Sequence, residues 1–143
     1  MQTRKYILFS FLTLSFLGFV DATYLTIQHY SKGIIPCNIG QCEKVLTSAY
    51  ATAGNVPVSL LGAIYYLALS LLVIVYLDSK YRNALYVAKK LTWLGFLTSL
   101  ALVYIQLFVL HALCIYCMAS ATISTLLFIL SFQIKTPQEK TLQ

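Results

Sequence analysis

Long apolar runs separated by short polar breaks dominate the chain. The first run covers about residues 6–30 and the second about 56–77. From Leu91 to Ile134, a stretch of 44 residues, there is no charged residue at all. A membrane-crossing helix needs about 20 apolar residues, so this stretch divides into two helices. They are expected at about 91–110 and 113–134, with a tight turn near Phe108–Leu113. The pattern therefore predicts an all-α integral membrane protein. Its fold is a four-transmembrane-helix bundle forming a single domain over residues 1–143, with one long loop at 31–55. The first run follows Arg4 and Lys5 and so looks like a signal peptide. It is too long for one, and no small-x-small cleavage site precedes Tyr24. It is expected to remain as the first helix.

Composition strengthens this reading. The chain is 59% hydrophobic and 10% charged, against about 25% charged in soluble domains. Such apolar content excludes a disordered chain, and the length leaves no room for a large soluble appendage. The net charge of +6 could serve nucleic acid, but the charges lie between apolar runs, so no nucleic-acid partner is expected. Their placement predicts sidedness instead. Arg4, Lys5, Lys80, Arg82, Lys89, Lys90, Lys135 and Lys140 fall on one side of a four-crossing chain, and only Lys32 and Lys44 on the other. The positive-inside rule puts both termini and the 78–90 loop in the cytoplasm. The 31–55 loop and the turn between the third and fourth helices then face outward, in a multi-pass protein of the cell (inner) membrane.

All four cysteines fall on that outer side. Cys37 and Cys42 lie in the long loop, and Cys114 and Cys117 at the outer start of the fourth helix. Disulfides form and persist in the extracytoplasmic compartment, so two structural disulfides are one reading. A metal site of four thiolates is another, but the loop pair lacks ribbon or finger context, and no metal is expected. The spacing Cys114-Ile-Tyr-Cys117 favours a third reading. Two intervening residues set both sulfurs on one face of a helical turn, and a helix N-terminus favours a thiolate. Such a dithiol suits redox cycling. Gly40 lets the loop turn so that Cys37 and Cys42 can approach. Together the pairs provide an electron relay. Its outer end should be another thiol protein. Its inner end should be a lipid-soluble two-electron acceptor such as a quinone, because the chain has no dinucleotide fingerprint.

These residues resemble the vitamin K epoxide reductase family in its bacterial single-domain form, roughly from Gly18 to Thr125. The resemblance rests on Asp21-Ala22-Thr23-Tyr24-Leu25, the Cys37/Cys42 pair and Val45-Leu46-Thr47-Ser48. It continues in Val56-Pro57-Val58-Ser59-Leu60-Leu61-Gly62 and Cys114-Ile115-Tyr116-Cys117. It implies a four-helix bundle around a quinone pocket, for menaquinone or ubiquinone. By the same carry-over, Cys117 faces the quinone, Cys114 exchanges with the loop pair, and Cys37 and Cys42 take electrons from a thioredoxin-fold (DsbA-like) protein. Ser48 matches a position near the active centre. Many bacterial relatives carry a fused thioredoxin-like domain after the fourth helix; here the partner is expected to be separate. Animal members place an Asn and a Tyr as naphthoquinone donors at positions that align with Val58 and Ala121, and neither residue here has a side-chain donor. The expectation is ordinary quinone reduction driving disulfide formation, rather than epoxide reduction. Val58, Leu61, Ser48 and Ala121 are the candidate pocket residues.

Two other functions compete. The disulfide-bond protein B type does the same task, but its CxxC lies in the first outer loop. A non-enzymatic membrane scaffold would use its cysteines only as structural links. Among further residues, Asp21 is the only acid inside a span, about 22 Å along the first helix at ~1.5 Å per residue, and an intramembrane acid is a functional candidate. His111, three residues before Cys114, is a stronger candidate for proton transfer than His29. Tyr65, Tyr66 and Tyr104 are expected to pack the bundle, Pro57 to start the second helix, and Gly62 to permit close helix approach.

Overall fold

The computed structural model describes residues 2–32, 36–37 and 40–134. Its elements are α1 (Gln2–Ser31), a short α2 (Cys42–Leu46), a 3-10 turn (Ala49–Ala51), α3 (Val58–Ser79), α4 (Arg82–Tyr104) and α5 (Ile115–Gln133). Between the 3-10 turn and α3, β1 (Thr52–Ala53) and β2 (Val56–Pro57) form a small antiparallel hairpin. A π-helical turn, Ile105–Val109, continues α4. Among the described residues, four helical segments are long and apolar enough to cross a membrane: Gln2–Ser31, Val58–Ser79, Arg82–Val109 and Ile115–Gln133. They close into a ring in which α1 packs on α3 and α5, and α4 packs on α3 and α5.

Leu8, Phe11, Leu69, Val73, Leu85 and Leu127 fill the centre of the bundle. Phe9, Phe16, Leu71, Leu94 and Ile129 point outward, as lipid-facing side chains do. Within the helices the hydroxyls of Ser15, Thr26, Ser70 and Thr125 donate to the carbonyl four residues back. These polar groups are thereby satisfied without water. Tyr66 is a central tie. Its hydroxyl lies 2.8 Å from the Ser120 carbonyl, 2.9 Å from the Ser120 hydroxyl and 3.1 Å from that of Ser124, joining α3 to α5. Its ring lies against Gly18 of α1, where an added Cβ would come within 2.5 Å. At Gly62 an added Cβ would meet only the Ala22 Cβ, at 3.6 Å, so the tight approach of α1 and α3 is at Gly18.

The helices differ in extent from the apolar runs. The third crossing begins at Arg82 rather than near 91, so the connection between α3 and α4 is only Lys80–Tyr81. Residues 82–94 contain neither Gly nor Pro, and lysine tolerates a helix end in a membrane by extending its charged head outward. Lys89 Nζ sits 5.9 Å above the Phe132 ring and Lys90 Nζ 4.8 Å above that of Tyr86. At the other end of the chain, α1 starts at Gln2 and includes Arg4, which hydrogen-bonds the Tyr76 hydroxyl and lies over its ring. The second crossing begins at Val58, because Val56 and Pro57 pair in the hairpin and Pro57 caps the helix. The turn near 108–113 starts as the π-helical segment from Ile105, and α5 begins at Ile115. Lys135 and Lys140, two of the charges used for sidedness, lie outside the described residues.

Candidate functional site

The loop and the start of α5 bring all four cysteines into one apolar cluster. Cys42 and Cys114 are buried there with Leu25, Val45, Leu46 and Ala112, and Cys37 and Cys117 pack against them. Cys37 and Cys42 form a disulfide with 6.1 Å between their Cα atoms, and Cys114 and Cys117 are free thiols. The loop is fastened to the start of α5 through its backbone. Gly40 and Cys114 form an antiparallel bridge, and Gln41 N–H donates to the Leu113 carbonyl at 2.9 Å. Tyr116 adds a side-chain fastening, with its hydroxyl 3.3 Å from the Pro36 carbonyl and its ring 5.5 Å from that of Tyr24 on α1.

Gly40 makes this docking possible. Its φ is +106°, and a Cβ there would lie 2.4 Å from the Leu113 carbonyl oxygen. Backbone strain of this kind costs about 1–3 kcal/mol, and here a backbone clash is added. Gly40→Ala is expected to lift the loop from α5 and speed hydrogen exchange of the Gln41 amide by roughly tenfold or more. Amide hydrogen exchange at Gln41 measures this; unchanged protection would mean that the loop docks without the glycine.

Cys114 is the N-cap of α5, and its sulfur accepts the Cys117 N–H at 3.4 Å. Its own N–H donates to Gln106 Oε1 at 3.1 Å. A hydrogen bond from the Cys117 thiol is the largest influence on its acidity and holds the Cys114 thiol below the ordinary range, at about 7. Burial opposes that, and the N–H groups of Cys117 and Tyr116 reinforce it. A lowered pKa means thiolate predominates above about pH 7 and is lost as the pH falls through that value. With the loop pair replaced by Ser and α5 reduced, ultraviolet thiolate absorbance is expected to rise with a midpoint near pH 7. Cys114→Ala should remove that step. A midpoint at the ordinary ~8.5 would deny Cys114 its activated state.

Beside the cysteine cluster lies a cavity of about 380 Å³ between the helices, within the range of small-molecule sites. Cys117 lines it, and Cys114 is not among its lining residues. Ser48, Val58, Leu61 and Ala121, the residues singled out from the sequence, all lie in its wall. The wall is mainly apolar, which fits a flat, lipid-soluble ring compound. His29, Tyr65, Tyr66 and Gln106 are further wall residues beyond those four candidates. His29 lines the cavity, whereas His111 is exposed in the turn before α5 with φ +47°. The apolar pattern could not reveal this, because it depends on which face of α1 meets the loop. Tyr65 and Tyr66 line the cavity as well as pack the bundle, while Tyr104 is exposed and its ring lies 4.9 Å from that of Phe108. Gln106, 4% exposed, is the wall residue that the sequence left unmarked; a lone amide in an otherwise apolar run was the available signal.

Some buried polar atoms remain without a hydrogen-bond partner among the described residues: Asp21 Oδ2, Thr23 Oγ1 and the Tyr65 hydroxyl. The Tyr65 hydroxyl packs against Gly95, where an added Cβ would lie 2.2 Å away. Ser124 is engaged by the Tyr66 hydroxyl.

Comparison with known proteins gives a family. The model of the vitamin K epoxide reductase family matches residues 9–132, most of the chain. None of the curated proteins matches it.

Proposed function

Because this chain belongs to the vitamin K epoxide reductase family, whose members are membrane redox enzymes that work through cysteines, we propose the following activity. The chain is a thiol–disulfide oxidoreductase that passes electrons from an extracytoplasmic thioredoxin-fold protein, through two cysteine pairs, to a membrane quinone. One observation carries the reading: the four cysteines share a single apolar cluster, with Cys117 alone of the α5 pair in the cavity wall. The charge distribution supports cysteines on the extracytoplasmic side, where disulfide formation is needed.

Exposure gives the loop cysteines different tasks. Cys37 is partly accessible, while Cys42 is 1% exposed and packed in the cluster with Cys114. A partner thiolate attacks the Cys37 sulfur, which breaks the Cys37–Cys42 bond and frees the Cys42 thiolate. That thiolate attacks Cys114 in the oxidised Cys114–Cys117 pair and releases Cys117 as a thiolate at the cavity. The partner's second thiol resolves the bond to Cys37 and leaves the partner oxidised. Cys37 then attacks Cys42, restoring the loop disulfide and freeing Cys114. Two electrons have moved from partner to α5 pair.

Val58, Leu61, Ala121 and Ser48 would hold the ring of a quinone beside Cys117. Such a quinone supplies the acceptor of two electrons and two protons that the α5 pair needs to reoxidise. The mainly apolar wall around it would seat the ring and keep Cys117 beside it. The test is quinone reduction by the purified protein in detergent, driven by a reduced DsbA-like donor. Turnover with oxidation of the donor is the expected result. If the donor is oxidised with no quinone consumed, or not oxidised at all, the assignment fails.

A further inference from the structure

Gln106 is a costly residue for its position. It is 4% exposed, lies in a π-helical turn and has only apolar residues beside it in the chain. π-turns recur at functional sites because they shift a side chain out of helical register. Here the backbone carbonyl of Gln106 accepts the Ala112 N–H at 3.1 Å, and its side-chain Oε1 accepts the Cys114 N–H at 3.1 Å. The second bond fixes the amide's orientation, since an N–H can be accepted only by the oxygen. The Nε2 group, with its two N–H donors, is the polar end left over. No hydrogen bond joins it to another described residue, it is not among the sealed atoms that lack a partner, and Gln106 lines the cavity that Cys117 also lines, so these donors are open to the cavity. Donors that face an apolar cavity without an acceptor are expensive, and in a membrane bundle no bulk water offsets the cost.

Resting on the quinone reading above, we infer that the Gln106 amide is the hydrogen-bond donor to a carbonyl oxygen of the quinone. Val58 and Ala121, in the same wall, offer no side-chain donor. Gln106 does so from α4 and, through its Oε1, anchors the backbone of Cys114. One side chain thus registers the acceptor ring against the cysteine pair. The bond would strengthen as negative charge develops on the carbonyl oxygen during reduction, the condition under which a preorganised donor aids a reaction.

The experiment uses the fully oxidised protein in detergent and decylubiquinone, whose ring has no free position for thiol addition. Two quantities are read: the dissociation constant, and the infrared carbonyl band of ¹³C-carbonyl-labelled quinone. In the wild type the band should lie below its position in hydrocarbon solvent, as a hydrogen-bonded carbonyl does. Gln106→Met, of similar length and without donors, should raise the band toward the hydrocarbon position and weaken binding roughly 3- to 10-fold. Gln106→Glu, in alkaline buffer, keeps an oxygen for the Cys114 amide but removes the N–H donors. It should shift the band as Met does, which a role confined to holding Cys114 would not produce. Equal bands in wild type and both variants overturn the donor assignment while leaving quinone binding intact. No binding of decylubiquinone to the wild type overturns the quinone reading itself, and the donor assignment with it.

Discussion

Replacing Cys117 by alanine is expected to stop quinone reduction with every thiol donor, by roughly a thousandfold or more. The reason is positional. Of the two α5 cysteines, Cys117 is the one in the cavity wall, and Cys114 is 0% exposed behind the docked loop. Without Cys117 the pair cannot close a disulfide, so no two-electron product can form at α5. A small dithiol cannot substitute, because it too needs the α5 pair to pass electrons on. The substitution removes a small, partly buried side chain, so the fold should persist, and thermal unfolding checks that point. Residual turnover near the wild-type level would sink the relay and leave the cysteines as structural links.

Cys42→Ala should separate the two stations of the relay. With a reduced DsbA-like protein the loss should again be roughly a thousandfold, because no loop disulfide remains for the partner to attack. With dithiothreitol, turnover should stay within about threefold of wild type, since a small dithiol reaches Cys117 through the cavity. Cys42 fills part of the cluster around Cys114, and alanine leaves only a sulfur-sized gap there, a modest packing cost. If both donors fail equally, α5 is reached only through the loop. If both work equally, the loop pair lies off the path of electrons.

Local patterns were enough for the helical architecture. Uninterrupted apolar runs can be satisfied only as spanning helices, and the short CxxC interval determines that Cys114 and Cys117 share a turn. At the third crossing, where run and helix disagree most, charge was the cause. Lys89 and Lys90 look like loop residues, yet they lie within α4 with their ammonium groups over aromatic rings. Hydropathy registers the charge of a lysine and not the reach of its stem. The π-turn at Ile105–Val109 was likewise invisible, because it arises from how the chain turns toward α5 rather than from a residue type.

By itself, then, the sequence determined an all-α chain with four apolar crossings, two cysteine pairs near one end of the bundle, and the residues by which it resembles its family. These are properties of neighbouring residues and of composition, and they need no knowledge of what packs on what. The tertiary structure alone decided that Gly40 docks the loop on the start of α5, and that Cys42 and Cys114 are buried while Cys117 reaches the cavity. It also decided that His29 rather than His111 lines that cavity, and that Gln106 turns one end of its amide to Cys114. Each of these joins residues far apart in the chain, and a helix face or a backbone bridge has no counterpart in a local pattern. Close packing of four helices and a loop selects one set of such contacts, and that set gives otherwise similar cysteines their different surroundings.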